Sequence, residues 1–310
     1  MSDISINELT KKMLEIISDF KGVFHGAYNI RENGQCAGRV SSKNIKIESK
    51  KDKPGLDITI LPETKGEVVY IPACVTQGGI DDLVYNDFFV GENADVVIVA
   101  GCGVHTEDNS EARHNGIHRF FLEEGAHVRY EEKHIGIGTG GGQRVIDPET
   151  DVYLKKNSYL EMNTTQISGV DHTKRTTNAV AEEGAKLVVR ERLYTENEQK
   201  AETYFKVDLN GEGAGADIVS RSVARDHSYQ NYESTIVGNS ACTGHSECDA
   251  IIDEDAIVDA SPRLFARNKD ASLIHEAAIG KIAGEQILKF RTLGLTEEEA
   301  EKKIIEGFLA

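Results

Sequence analysis

The sequence predicts a mainly β fold, a right-handed parallel β-helix flanked by an N-terminal helix and a C-terminal helical segment. Three observations carry that expectation. Short β-branched runs recur from residue 67 to about 272, at 68–71, 96–100, 128–131, 186–190, 218–223 and 250–252. Several are entered by one device, an acidic or polar turn and a small residue before apolar alternation, as in Gly91-Glu-Asn-Ala94-Asp-Val and Glu124-Gly-Ala126-His-Val. Ala94 and Ala126 are 32 residues apart, whereas Ala241, Ala256 and Ala271 are spaced by 15, and such imperfect repetition marks a solenoid. Helical periodicity is almost absent over the same stretch, which disfavours a doubly wound sheet with its crossover helices. A sandwich competes, but small residues at recurrent turn positions favour stacked coils.

Residues 1–22 are expected to hold a helix, opened by a capping box of Ser5 and Glu8. Ile6, Leu9, Met13, Ile16, Ile17 and Phe20 recur on one face, and Gly22 stops it. Residues 23–66 form a weakly patterned segment with one strand at 56–61. The β-helix core occupies 67–274. Helical spacing returns after His275 on Ile279, Ile282, Ala283, Ile287 and Phe290, with Gly294 as a stop. Thr296 and Glu299 make a second capping box before a last helix, so 275–310 is read as a helical segment.

Composition narrows the functions. The 35 Lys and Arg against 52 Asp and Glu give a formal charge of −17, which argues against a non-specific nucleic-acid surface. No apolar run reaches the ~18 residues of a membrane span, and the N-terminus lacks a basic-then-apolar signal pattern, so a cytoplasmic protein is expected. Five irregularly spaced cysteines fit reduced thiols better than a disulfide framework.

Two short stretches hold the candidate chemistry. Gly244-His-Ser-Glu-Cys-Asp249 places Cys248 between acids, with His245, Glu247 and Asp249 on one strand face and Ser246 and Cys248 on the other. Carboxylates raise a thiol pKa, so Cys248 suits a metal ligand, ionised by the cation, better than a hydrolytic nucleophile; a buried structural cysteine is the plainer alternative. His275 and Glu276 lie 27 and 28 residues further on, close to two 15-residue units, which would separate them from Cys248 by two coils or roughly 10 Å. Cys102, His105, His114 and His118 also carry ligand types, yet the eight-residue gap and strand context do not match a compact zinc finger. Cys36, Cys74 and Cys242 are read as structural. The glycine-rich run 136–142 lacks a following Lys-Ser or Lys-Thr, and no Gly-x-x-x-x-Gly-Lys-Ser/Thr occurs, so no P-loop ATP site is expected.

Cys248-Asp249, the run 258–267 and His275-Glu276-Ala277 resemble the core of the SufB/SufD family, scaffolds for iron–sulfur cluster building. The likeness extends from about residue 67 onward and implies the short form of a minimal system with one ATPase. It implies the β-helix fold and a scaffold, not an enzyme, that carries a transient iron–sulfur cluster, of the 4Fe-4S type. Cys248, Glu276 and His275 would be the metal ligands and Cys102 a sulfur acceptor. A SufC-like ABC ATPase would dock on the C-terminal helices, and a homodimer would form through the C-terminal coils. The rival readings are a β-helix enzyme on a carbohydrate or acyl substrate, for which no convincing carboxylate pair is found, and a metal-free adaptor of an ATPase.

Overall fold

The computed structural model describes residues 6–310. A helix, α1 (Glu8–Ser18), precedes β1 (Ala27–Glu32), β2 (Gln35–Val40), β3 (Ile45–Ser49), β4 (Gly55–Ile60), β5 (Lys65–Val75) and β6 (Asp81–Val90). Then come β7 (Asp95–His105), β8 (Ala112–Leu122), β9 (His127–Ile137), β10 (Arg144–Ile146), β11 (Glu149–Leu154), β12 (Tyr159–Ser168) and β13 (His172–Ala181). The chain continues through β14 (Lys186–Thr195), β15 (Lys200–Leu209), β16 (Gly215–Ala224), β17 (Tyr229–Gly238), β18 (Thr243–Ile252), β19 (Ile257–Ala266) and β20 (Ser272–Gly280). Two helices follow, α2 (Gly284–Thr292) and α3 (Glu297–Leu309).

From β4 to β10, and again from β11 to β20, successive strands alternate between two sheets. One runs β2-β1-β5-β7-β9-β12-β14-β16-β18-β20, the other β19-β17-β15-β13-β10-β8-β6-β4-β3, with β11 also bridging β8 and β13. Apart from the antiparallel hairpins β1–β2 and β3–β4, all these pairings are parallel, so the chain is a flattened β-solenoid of about eight turns. Asp95 pairs with His127, one full coil of 32 residues later; further on Gly215 pairs with Thr243, a coil of 28. The 15-residue spacing read from the sequence is therefore half a turn, not a turn.

The corners explain the small residues. Ala94, Ala126, Ala185 and Ala214 are all fully buried at one edge, stacked coil on coil. Each follows a residue at positive φ: Asn93 at 53°, Gly125 at 66°, Gly184 at 67° and Gly213 at 71°. Only Gly or Asn enters that region cheaply, and only a small side chain fits the crowded inner corner that comes next. Cys242, rather than Ala241, occupies this corner row in the penultimate coil, which fits its structural reading; its backbone carbonyl accepts from Ser272 N.

The helix α1 lies across β5, β7 and β9 and buries Met13, Leu14 and Ile17 completely. A Cβ at Gly101 would sit 2.7 Å from Cβ of Ile17, and one at Gly103 2.8 Å from Sδ of Met13, so the two glycines let the helix approach. Cys74 is buried in the cluster beneath it, as a structural cysteine should be. The N-cap is Asn7, whose Oδ1 accepts from Thr10 N at 2.7 Å; the expected capping box needs Ser5, which lies outside the described residues.

Two expectations are corrected. The segment 23–66 supplies four strands, not one, and β1 and β4 already pair in parallel with β5 and β6. His275 and Glu276 do not open a helix: they sit inside β20, and the helix begins only at Gly284. The helical spacing at 279–290 coincides with an alternation, Leu273, His275, Ala277, Ile279, that pairing with β18 converts into a strand. Beyond it Gly294 takes φ 95° as a stop, and the Thr296–Glu299 capping box is formed in both directions.

Candidate functional site

Strands β18 and β20 are immediate neighbours, in register Ser246↔His275, Glu247↔Glu276 and Cys248↔Ala277. Cys248 and the His275-Glu276 pair are thus one rung apart, about 4.8 Å, instead of two coils. The pleat then sorts the residues. Cys248, 3% exposed, points into the solenoid with Ser246, while His245, Glu247 and Glu276 stand on the outer face. Burial, then the Glu191 and Asp249 carboxylates, push the Cys248 thiol up to about 12, so it is protonated at neutral pH. His275 shares the inner face, but no later coil covers it and it is exposed.

On the outer face, ligand atoms of His245, Glu247 and Glu276 lie within 4.8 Å of one another, and this is the one such group of three among the described residues. His245 Nδ1 faces Asp217 Oδ1 at 2.8 Å, which leaves Nε2 toward Glu276 Oε2 at 3.9 Å. A carboxylate on the far nitrogen is the usual way an imidazole is oriented for a cation. Burial and the neighbouring Asp249 raise the pKa of Glu247. One imidazole and two carboxylates suit a divalent first-row ion. Of the three expected ligands, Glu276 belongs to this group, and Cys248 and His275 open onto the opposite face of the sheet. His245 and Glu247 were not assigned from sequence; the register that pairs residues 29 apart is the signal that identifies them.

Toward the N-terminus the solenoid interior becomes ionic. Glu132, Arg175 and Glu191 form a buried trio: Arg175 donates to Glu132 Oε2 at 2.7 Å and stands 3.6 Å from Glu191 Oε1. Thr203 and Ser220 donate to the two oxygens of Glu191 at 3.0 and 2.7 Å. The ladder Glu132–Thr164–Glu191–Ser220–Cys248 runs in register along one inner row. Cys102 lies in the next row, between Ala73 and His134, with Gln166 beyond. Buried His134 Nε2, Thr164 Oγ1 and Gln166 Nε2 have no hydrogen-bond partner; Glu132 Oε1 is 3.4 Å from His134 Nε2 but out of line for a bond. Burial and Glu132 hold the Cys102 thiol far above its ordinary range.

Cys102, His114 and His118 line one cavity in the first coils, but with His105 they do not form a close ligand group. His105 bonds Thr76 and Glu107, and His114 Nδ1 faces Asp82. Tyr130 donates to Glu132, so His118 Nδ1–H must donate to Tyr130 Oη at 2.9 Å, leaving Nε2 to accept from Asn86 at 3.3 Å. Both nitrogens of a neutral ring are used.

The chain is thus a parallel β-solenoid with a thiol, histidines and acids on its last two rungs. Residues 86–308 match the family model described as SUF system FeS cluster assembly, SufBD core domain, and the chain belongs to that family. A protein of Methanothermobacter thermautotrophicus strain Delta H named as an iron–sulfur cluster assembly SufBD family protein is 29% identical over 79% of this chain and 60% of its own length. Family members so named from Pyrococcus horikoshii and Archaeoglobus fulgidus are 30% and 26% identical, over 74% and 83% of this chain and 69% of each relative. The chain spans 60% and 64% of the first two curated relatives. No helix among the described residues is long and apolar enough to cross a membrane.

Proposed function

We propose that this member of an iron–sulfur assembly family is a cytoplasmic scaffold on which a cluster is built transiently and then passed on. The observation that carries the reading is the crowding of His245 and Glu247, which share β18 with Cys248, against Glu276 one rung on in β20, all within 4.8 Å on the last two rungs. Oxygen and imidazole donors admit ferrous iron as substrate, and Cys248 supplies a thiolate once the cation displaces its proton. A cluster held by so few thiolates is retained weakly, as suits a protein that gives its product away. Because Cys248 and Glu276 face opposite sides of β18 and β20, one chain cannot close them on one cluster without movement. The edge strand β20 is the element to move: it leads through three residues into α2, where a SufC-like ABC ATPase would pull. A second copy at the same end would bring a second ligand set, including His275.

Anaerobic reconstitution with iron and sulfide tests this. Wild type should develop the charge-transfer absorption of a cluster, and Cys248→Ser and Glu276→Gln should lose it while keeping the fold. Reconstitution of both variants at wild-type yield would end the assignment. The Cys248→Ser stability cost should stay near ~1–2 kcal/mol, since only one small buried group changes polarity.

A further inference from the structure

At the other end of the solenoid, between the sheets of the first coils, lies a cavity of about 200 Å³. Its lining holds four cationic side chains, Arg31, Arg39, Lys50 and Lys53, and no carboxylate, in a chain whose formal charge is −17. Two of these charges are compensated from behind: Arg31 by Asp82, and Lys50 by Asp57 and Asp87. The other two are not. Arg39 donates only to neutral groups, Asn29 Oδ1 at 2.8 Å and Ser49 Oγ at 2.9 Å, and Lys53 lies over the Tyr85 ring at 4.1 Å. Among the described residues neither has an acidic partner, so the cavity carries about two uncompensated positive charges.

Two thiols share the lining, Cys102 and Cys36, where apolar Leu56, Ile71 and Val84 alternate with polar Asn29, Asn86, His114 and His118. The apolar part of the wall and the two thiols penalise a strongly hydrated oxyanion more than a softer, polarisable anion with a terminal sulfur, which gives up less hydration on entering. A liquid-water molecule occupies about 30 Å³, so there is room for an anion of a few heavy atoms. We infer that this cavity is a binding site for a small sulfur-bearing anion of hydrosulfide or thiosulfate type, held by Arg39 and Lys53 beside Cys102. The choice of sulfur rests on the iron–sulfur reading; the site itself rests on the charges.

Titration calorimetry of cluster-free, iron-free protein tests it, with thiosulfate as probe and sulfate and phosphate as controls. Thiosulfate should bind saturably, at least about tenfold tighter than either oxyanion. Arg39→Ala and Lys53→Gln should each weaken it about tenfold, and the double variant should abolish it; both side chains lack acidic partners, so melting temperatures should hold. Thiosulfate should also slow alkylation of Cys36, the exposed thiol of the same lining, read by mass spectrometry of the intact full chain. No saturable binding, equal binding of phosphate, or full binding by the folded double variant would each overturn the inference. Because no iron enters, a protein that binds thiosulfate but builds no cluster would count against the scaffold reading alone.

Discussion

His118 shows how a buried titratable group sets a pH dependence. Burial lowers its pKa to about 4, and its two hydrogen bonds, to Tyr130 and Asn86, satisfy the neutral ring. The unfolded chain regains an ordinary histidine pKa of about 6.5. Between pH 6.5 and 4 the unfolded state therefore holds one more proton, and stability falls as pH falls, by about 1.4 kcal/mol per unit or ~3 kcal/mol in all. Urea unfolding across this window, compared with His118→Asn, should show that difference in slope; parallel profiles would refute it. Arg175 is a sharper case. It stands alone between Glu132 and Glu191, so Arg175→Met should strand two buried carboxylates and cost ~3–5 kcal/mol, measurable as a lower urea midpoint.

At the scale of elements, the C-terminal pair α2 and α3 can be separated from the solenoid. Helix α3 lies along the outside of the last coils: Ile305 and Glu301 share a small cavity with Val223, Ile251 and Ile287, Arg225 lies 4.0 Å from Glu301, and Ala310, which follows the helix, lines the same pocket as His245 and Glu247. Ala300 is its one fully buried residue. Deleting 296–310 should accordingly leave the strand signal in circular dichroism and the melting temperature nearly intact, while co-purification with a SufC-like ATPase is lost. A truncated chain that still brings down the ATPase at wild-type ratio would place the docking surface elsewhere. The elements also show what was legible in the sequence. The strand runs, the small corner residues and the Thr296–Glu299 box were readable because each depends on local sterics or local hydrogen bonds. What was not readable was the phase. Half-turns and full turns look alike when every strand begins with the same corner, so the rung between Cys248 and Glu276 was doubled. Long-range pairing with β18 also turned 275–280 from helix to strand, and it alone reveals His245 and Glu247 as partners of Glu276.

The molecule as a whole ends asymmetrically. Its first coils are covered by α1 and the hairpins, but the last coil has no successor. Leu264 and Leu273 pack on the core yet stay only partly buried, and Ile257, Phe265 and Ile274 are exposed at 56%, 49% and 54%. Strands β19 and β20 also present free edges, and a long apolar edge left open is a template for pairing with another strand. A second copy of the chain, related by a two-fold axis, would cover both features and bring two sets of terminal-coil ligands together. The formal charge of −17 per chain opposes that contact, so pairing should strengthen as salt rises from about 0.01 to 0.15 M and the Debye length falls from about 30 to 8 Å. Cys248, buried within the penultimate rung, is a poor site for intersubunit crosslinking, whereas Ile274 lies on the exposed outer face of the last one. Ile274→Asp should therefore shift the light-scattering mass from dimer toward monomer without lowering the melting temperature, since no core contact is lost. The same variant should reduce cluster yield in reconstitution, because each subunit would be left with its own ligands alone. A monomeric variant that loads clusters at wild-type yield would show that one chain suffices, and the shared site would be abandoned.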